Sequence, residues 1–165
     1  MKSTLPFVIL LMLVQVSTAQ LKTSAPVCKT FDVNVLEGTV NNDISTKSTI
    51  GEVRTTFPCY TSTLDENEGK GCGGVFYKDK DISFKTERGY IEIGEKFKGK
   101  LSLPLIGANR NSLFKWFGYP KMKDNNWDAF QTKYGILILY YNSANRINKI
   151  QMSHYSTETI RLCDQ

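Results

Sequence analysis

Thr49-Ile50-Gly51-Glu52-Val53-Arg54-Thr55-Thr56-Phe57-Pro58 reads as a short capped helix with a hard stop, and Leu113-Phe114-Lys115-Trp116-Phe117-Gly118-Tyr119-Pro120 repeats the pattern about 62 residues later. In the first stretch Thr49 and Glu52 fit a capping box, in which the hydroxyl accepts from the third helical amide and the carboxylate reaches back. Ile50, Val53 and Phe57 fall at helical spacing, as do Leu113, Trp116 and Phe117. Pro58 and Pro120 cannot continue a helix, so each is predicted to run only two or three turns. Helices that short are marginal alone and need packing to hold them.

Further landmarks follow in the same order on either side. Gly38-Thr39-Val40 matches Gly99-Lys100-Leu101, Gly74-Val75-Phe76-Tyr77 matches Gly135-Ile136-Leu137-Ile138, and Tyr90-Ile91-Glu92-Ile93 matches Thr159-Ile160-Arg161-Leu162. After each proline an irregular stretch leads into three strand-like segments. These are 74–78, 82–86 and 90–93 in the first unit and 135–141, 146–152 and 158–162 in the second, separated by turn residues. Short turns between consecutive strands imply antiparallel pairing. The expected fold is α+β: two tandem helix-loop-three-strand repeats, 36–95 and 97–163, forming one antiparallel sheet with the short helices on one face. Phe31, Val33 and Val35 alternate and offer a further strand.

Alternation assigns the faces of that sheet. Ile82, Phe84, Ile91, Ile93, Ile150, Met152, Ile160 and Leu162 are expected to face the helices, whereas Ser83, Lys85, Tyr90, Glu92, Lys149, Gln151 and Arg161 face away. Gly135 to Tyr141 is apolar at both parities. Either it is a central strand covered on both faces, or Leu137, Leu139 and Tyr141 join an exposed patch. The candidate binding face is therefore Tyr90, Tyr141, Lys85, Lys149 and Arg161, a Tyr, Lys and Arg mixture suited to protein contacts.

The N-terminus reads as an export signal: Lys2, an apolar run from Leu5 to Val16, then Ser17-Thr18-Ala19. Cleavage is expected after Ala19, with residues 1–19 removed and 20–165 forming a single domain. The run is too short for a membrane span, and Gln20 stands where a lipid-bearing cysteine would be. The expected location is secreted or periplasmic. The formal charge of +5 falls to +4 without Lys2 and is spread through the chain. It therefore gives no concentrated nucleic-acid arm, and no nucleic-acid partner is expected. An even four cysteines in an exported chain read as two disulfides. Cys59 with Cys72 would close a local loop and Cys28 with Cys163 would tie the chain ends.

Little in the sequence argues for chemistry. Gly69-Lys70-Gly71-Cys72-Gly73-Gly74 matches G-x-G-x-x-G, but an acidic loop precedes it and a strand-like run follows, the reverse of a phosphate-binding turn. Asp65 to Gly69 lacks the rest of a calcium loop, and no Cys-x-x-Cys or paired His suits zinc. His154 is the single histidine, with no nucleophile elbow to serve. No catalytic residue, metal or cofactor is expected.

The order helix, aromatic-Pro, loop and Gly-led strands, twice over, resembles the beta-lactamase inhibitor protein architecture, whose single unit is similar to the outer-membrane assembly lipoprotein BamE. Phe57-Pro58-Cys59 and Cys72-Gly73-Gly74-Val75-Phe76 also resemble pieces of uncharacterised exported bacterial proteins. The resemblance implies a binding module. The expected function is an exported, non-enzymatic protein-binding or inhibitor-like module whose partner is a protein in the periplasm or outside the cell. A structural cell-envelope protein and a hydrolase acting on envelope polymers are the alternatives.

Overall fold

The predicted capping box at Thr49 forms: the Glu52 amide donates to Thr49 Oγ1 at 3.3 Å and the Thr49 amide donates to Glu52 Oε2 at 2.7 Å. The Thr49 amide bond is also the main reason the Glu52 carboxyl titrates below the usual carboxylate range. In the computed structural model, which describes residues 27–66 and 72–163, this cap starts the longer of two short helices. The expected leader, residues 1–19, and residues 67–71 of the acidic, glycine-rich loop lie outside the described residues.

In chain order, β1 (Asp32–Asn34), β2 (Thr39–Val40) and β3 (Ile44–Ser45) precede α1 (Ile50–Thr56). β4 (Ser62–Leu64), β5 (Gly74–Tyr77), β6 (Ile82–Lys85) and β7 (Tyr90–Gly94) follow it. β8 (Lys100–Leu101) leads to α2 (Phe114–Phe117), and β9 (Met122–Lys123), β10 (Trp127–Gln131), β11 (Ile136–Tyr141) and β12 (Ile147–Ser153) complete the chain's strands. The fold is α+β and mostly sheet. The main sheet has eight antiparallel strands in the order β4-β5-β6-β7-β12-β11-β10-β9. A smaller sheet, β3-β2-β1-β8, pairs β1 with β8 in parallel.

The core lies between the two sheets and the helices. On the main sheet Ile82, Phe84, Ile91, Ile93, Ile150 and Met152 face it, as alternation predicts, and Val75, Tyr77, Leu137 and Leu139 join them. From the other side come Phe31, Val33, Val35, Val40 and Ile44 of the small sheet, Val53 and Phe57 at α1, and Leu113 at α2. Phe31 sits 4.9 Å from both the Phe57 and Tyr77 rings, edge to face, in an aromatic cluster that includes Phe84. Gly74 and Gly135 open β5 and β11 with φ of +144° and +147°. A Cβ at Gly74 would meet Phe84 O at 2.0 Å and one at Gly135 would meet Ser153 O at 2.3 Å, so the leading glycines let each strand pass close to its neighbour.

Two sheets stand where the sequence suggests one antiparallel sheet, because β1, β2, β3 and β8 pair among themselves, and the structure departs from the sequence reading of the fold at four further places. Residues 158–162 form no strand; Ile160 and Leu162 lie instead against the face of the sheet remote from the helices. Each helix is followed by four strands, not three, because β4, β9 and β10 join the sheet. Gly74–Tyr77 is thus second in its set while Ile136–Tyr141 is third, so the two segments matched by sequence do not hold matching places. Trp116 packs at the margin of the core and is only half-buried.

The fourth departure is the disulfide pairing, which is Cys28–Cys59 and Cys72–Cys163, in place of Cys59 with Cys72 and Cys28 with Cys163. Proximity in sequence misleads here. Phe31 packs edge to face on Phe57, which places the chain entering β1 beside the exit of α1 and brings Cys28 to Cys59. Peptide mapping without reduction is expected to recover these two linked pairs, and a Cys59–Cys72 peptide would contradict the fold. Phe84→Ala should lower stability by about 3 to 5 kcal/mol in urea unfolding, as the loss of a ring sealed among other rings. The exposed Leu36→Ala should stay within about 0.5 kcal/mol of wild type.

Candidate functional site

The face of the main sheet away from the helices is not bare. After β12 the chain turns at Ser156, where the Thr159 and Ile160 amides donate to its carbonyl, and then runs back across the sheet. Ile160 and Leu162 pack on Ala129, Ile136, Ile138 and Tyr140 of β10 and β11, which explains why β11 is apolar at every position. Cys163 then reaches β7. Its sulfur accepts from the Tyr90 hydroxyl at 2.7 Å and its amide donates to that oxygen at 3.3 Å, while the disulfide to Cys72 pins the segment.

Between this C-terminal segment and β9 a groove of about 470 Å³ stays open. Ala129, Ile136, Ile138 and Tyr140 form its floor, with Trp127 and Met122 on one wall and Ile160 and Leu162 on the other. Asp124, Asn126 and Thr157 stand at its rim. An apolar floor with few polar groups at the edge is the usual make-up of a ligand or anchor-residue pocket, and the volume falls within the usual range.

The predicted face residues divide. Lys85, Tyr90 and Lys149 lie on this side of the sheet. Lys85 Nζ sits 4.1 Å over the Phe76 ring, and burial pulls its pKa below the usual lysine value, with Glu92 acting against that pull. Lys149 Nζ lies 4.0 Å over the Tyr140 ring and 4.0 Å from Glu92 Oε2. Gln151 joins them, accepting from the Tyr140 hydroxyl at 2.8 Å and donating to Glu92 Oε2 at 2.6 Å. Tyr90, at 1% exposure, is sealed beneath Cys163 and cannot serve as a surface anchor. Arg161 is exposed, but on the crossing segment and not on a strand. Tyr141 is on the opposite face: it shares the parity of Leu137 and Leu139 along β11 and points with them into the helix-side core.

Tyr141 belongs there to a polar hub the sequence does not reveal. Its hydroxyl donates to Asp128 Oδ2 at 2.8 Å, and Arg110 grips the same carboxylate with both arms, Nε at 2.9 Å from Oδ2 and Nη2 on Oδ1. Arg110 also donates to the carbonyls of Asn125 and Asp124, at 2.9 and 2.6 Å, and lies 4.6 Å from the Tyr141 ring centre. Its bonds to Asp128 push the guanidinium pKa still higher. The hub fixes the β9–β10 turn that carries Asp124 and Asn126, and so shapes the groove rim from behind. The only hint in the sequence is an acid, Asp128, flanked by the apolar Trp127, Ala129 and Phe130.

His154 does structural work. Its Nδ1 lies 2.9 Å from the Thr46 carbonyl oxygen, which can only accept, so Nδ1 carries the proton. Its ring stacks on Tyr155 at 4.2 Å. Among the described residues no group of three His, Cys, Asp or Glu side chains could hold a metal ion, and no helix is long and apolar enough to cross a membrane. No protein-family model matches the chain, and no curated protein or solved structure is significantly similar to it.

Removing the buried carboxylate leaves Arg110 without its partner, so Asp128→Ala should cost about 3 kcal/mol in urea unfolding. Tyr141→Phe, which deletes one hydrogen bond and keeps the ring, should cost about 1 kcal/mol. Equal losses would mean that the ion pair contributes nothing beyond the hydroxyl bond.

Burial raises the pKa of Tyr77, Tyr90 and Tyr141 well above the ordinary tyrosine value, and for Tyr141 the bond to Asp128 adds to it. In the unfolded chain these groups ionise near pH 10, whereas in the fold they keep their protons to higher pH. The folded state therefore binds more protons above that point. Stability is unaffected by these groups below about pH 10 and falls as pH rises beyond it, by up to about 1.4 kcal/mol per group per pH unit. Alkaline titration should show a late class of tyrosines whose ionisation absorbance appears only as near-UV circular dichroism collapses. Ionisation of all eight tyrosines with the dichroism intact would refute the burial.

Proposed function

We propose that the chain is a non-enzymatic protein-binding module acting outside the cytoplasm, and that its partner contributes a short segment whose large apolar side chains seat in the groove between β9 and the C-terminal segment. The observation that carries this reading is the groove itself. It combines an apolar floor on a rigid sheet, a wall stapled by Cys72–Cys163 and a rim limited to Asp124, Asn126 and Thr157. The two disulfides suit an oxidising compartment and agree with the leader expected at residues 1–19.

Two helix-and-strand units joined through β7 and β12 would supply the stiffness such a module needs. A floor ordered before the partner arrives binds at small entropic cost, and one or two anchor side chains can contribute about 2 kcal/mol or more each. The residues best equipped for catalysis are otherwise engaged: His154 holds Thr46, and the four cysteines are paired. The binding determinants move accordingly, from Tyr90, Tyr141 and Arg161 to Met122, Trp127, Ile138 and Ile160.

A random peptide library selected on the immobilised chain should yield sequences with bulky apolar residues. Bound peptide should slow amide exchange in β9, β10 and residues 157–163. Met122→Asp, at an exposed position on the groove wall, should weaken the selected peptides at least tenfold and leave the urea midpoint unchanged. Peptides that protect other strands, or that bind Met122→Asp as well as wild type, would overturn the groove as the binding site.

A further inference from the structure

The stretch Phe114-Lys115-Trp116-Phe117-Gly118-Tyr119-Pro120-Lys121-Met122-Lys123 carries α2, its exit loop and β9 at one edge of the molecule. Its inward side is accounted for: Phe117 packs 5.2 Å from the Phe130 ring, and Met122 turns to the groove. Its outward side is not. Phe114 is 55% exposed and Tyr119 85%, the two most exposed aromatic side chains among the described residues. Their rings touch edge to face at 4.6 Å, forming one apolar projection just beyond the turn at Gly118, whose φ is +68°.

Within this stretch the charge is of one sign. Lys115, Lys121 and Lys123 are all exposed, the stretch contains no acidic residue, and among the described residues none of the three forms an ion pair with a carboxylate. Lys115 Nζ also lies 4.4 Å over the Trp116 ring. Exposed lysines interleaved with protruding aromatic side chains meet the two demands of a membrane interface. Apolar groups enter the headgroup and acyl boundary, and cations are drawn to anionic lipid.

We propose that this edge is a docking surface for an anionic lipid bilayer, with Phe114 and Tyr119 inserted among the headgroups and Lys115, Lys121 and Lys123 lying over the lipid phosphates. The residue types favour a lipid surface over other polyanions. Phe114 has no polar group to offer a sugar or a base, whereas Tyr119 has an apolar ring and a polar tip suited to headgroup depth. The T-shaped pair presents no open flat face for stacking. Lysine is a hydrated point charge that suits a diffuse charged surface, whereas arginine would suit fixed, bidentate phosphate recognition. The surface is peripheral and needs no spanning segment. It shares β9 with the groove, whose wall carries Met122, but none of Phe114, Tyr119, Lys115, Lys121 and Lys123 lines the groove.

The test places a reporter at the tip of the projection. Tyr119→Trp in the full chain, read against the Trp116 and Trp127 background of wild type, should be quenched by brominated phosphatidylcholine in vesicles that also contain phosphatidylserine. In phosphatidylcholine vesicles without anionic lipid the added tryptophan should stay unquenched. Because the readout is local, membrane association of the apolar Leu5 to Val16 run does not mimic it. Combining the reporter with Lys115→Glu, Lys121→Glu and Lys123→Glu should abolish the quenching. Neutralising one lysine, as Lys115→Gln, Lys121→Gln or Lys123→Gln, should weaken partition about fivefold at low salt, and Phe114→Ser should weaken it several-fold with an unchanged urea midpoint. Equal quenching on neutral vesicles, quenching that survives the triple reversal, or absence of quenching at position 119 would each overturn the proposal. Retention on an anionic polysaccharide column without vesicle quenching would also overturn it, assigning the lysines to a polymer instead.

Discussion

The pairing of β7 with β12 is the contact on which the rest of the architecture depends. Tyr90 to Gly94 and Lys149 to Ser153 lie far apart in sequence, yet among the described residues their antiparallel ladder is the only place where the two four-strand sets pair in the main sheet. Bringing such distant segments together carries a loop-closure cost, so the pair must be fixed by what it buries. On the helix side Ile91 opposes Met152 and Ile93 opposes Ile150, all four sealed in the core. On the other side Glu92 opposes Gln151 and the two are hydrogen-bonded. A one-residue slip would put Glu92 and Gln151 into the core, which pins the register.

Much of this could be read in advance because local and tertiary demands agree there. The Thr49 cap, the end of α1 before Pro58, and the presence of β5, β6, β7, β11 and β12 follow from capping chemistry, turn residues and apolar patterning, whereas α2 is capped at Gly118, ahead of Pro120. Phe84, Ile91, Ile93 and Ile150 face the core as their parity requires. β10 escaped notice because one of its inward positions is Asp128. A buried acid in a strand is tolerable only when a partner arrives from elsewhere, and that partner, Arg110, comes from the turn before α2. No window of sequence spans both residues and names them as a pair.

The candidate site was legible only in outline. That one face of the sheet is free of helices follows from helices on one side of an antiparallel sheet, and Lys85 and Lys149 do lie on it. What could not be read was its cover. Ile160 and Leu162 alternate apolar with polar as an edge strand would, and a segment lying across a sheet leaves the same trace, because in both only one side is buried. The disulfide between Cys72 and Cys163 decides between them, since it draws the chain end over β7 instead of alongside β12. Tyr90 changes from a surface anchor to a buried strut by that single choice.

The two halves of the molecule reach rigidity by different chemistry, and the difference bears on where a partner can be received. The β4 to β7 half is tied by covalent links: Cys28–Cys59 fixes the entry of the chain and Cys72–Cys163 its end. The described part of the β9 to β12 half contains no disulfide within itself. Its outer strands are fixed by the Arg110 grip on Asp128, by Tyr141 and by Phe117 on Phe130, all on the helix side. The groove and the Phe114 edge both belong to this second half. Support placed behind the sheet leaves the front face free to be apolar and open, whereas the first half spends its equivalent space on Tyr90 and the crossing chain. An ion pair buried on one side thus permits an unfilled groove on the other, because the strands forming the floor do not depend on the groove's contents for their position.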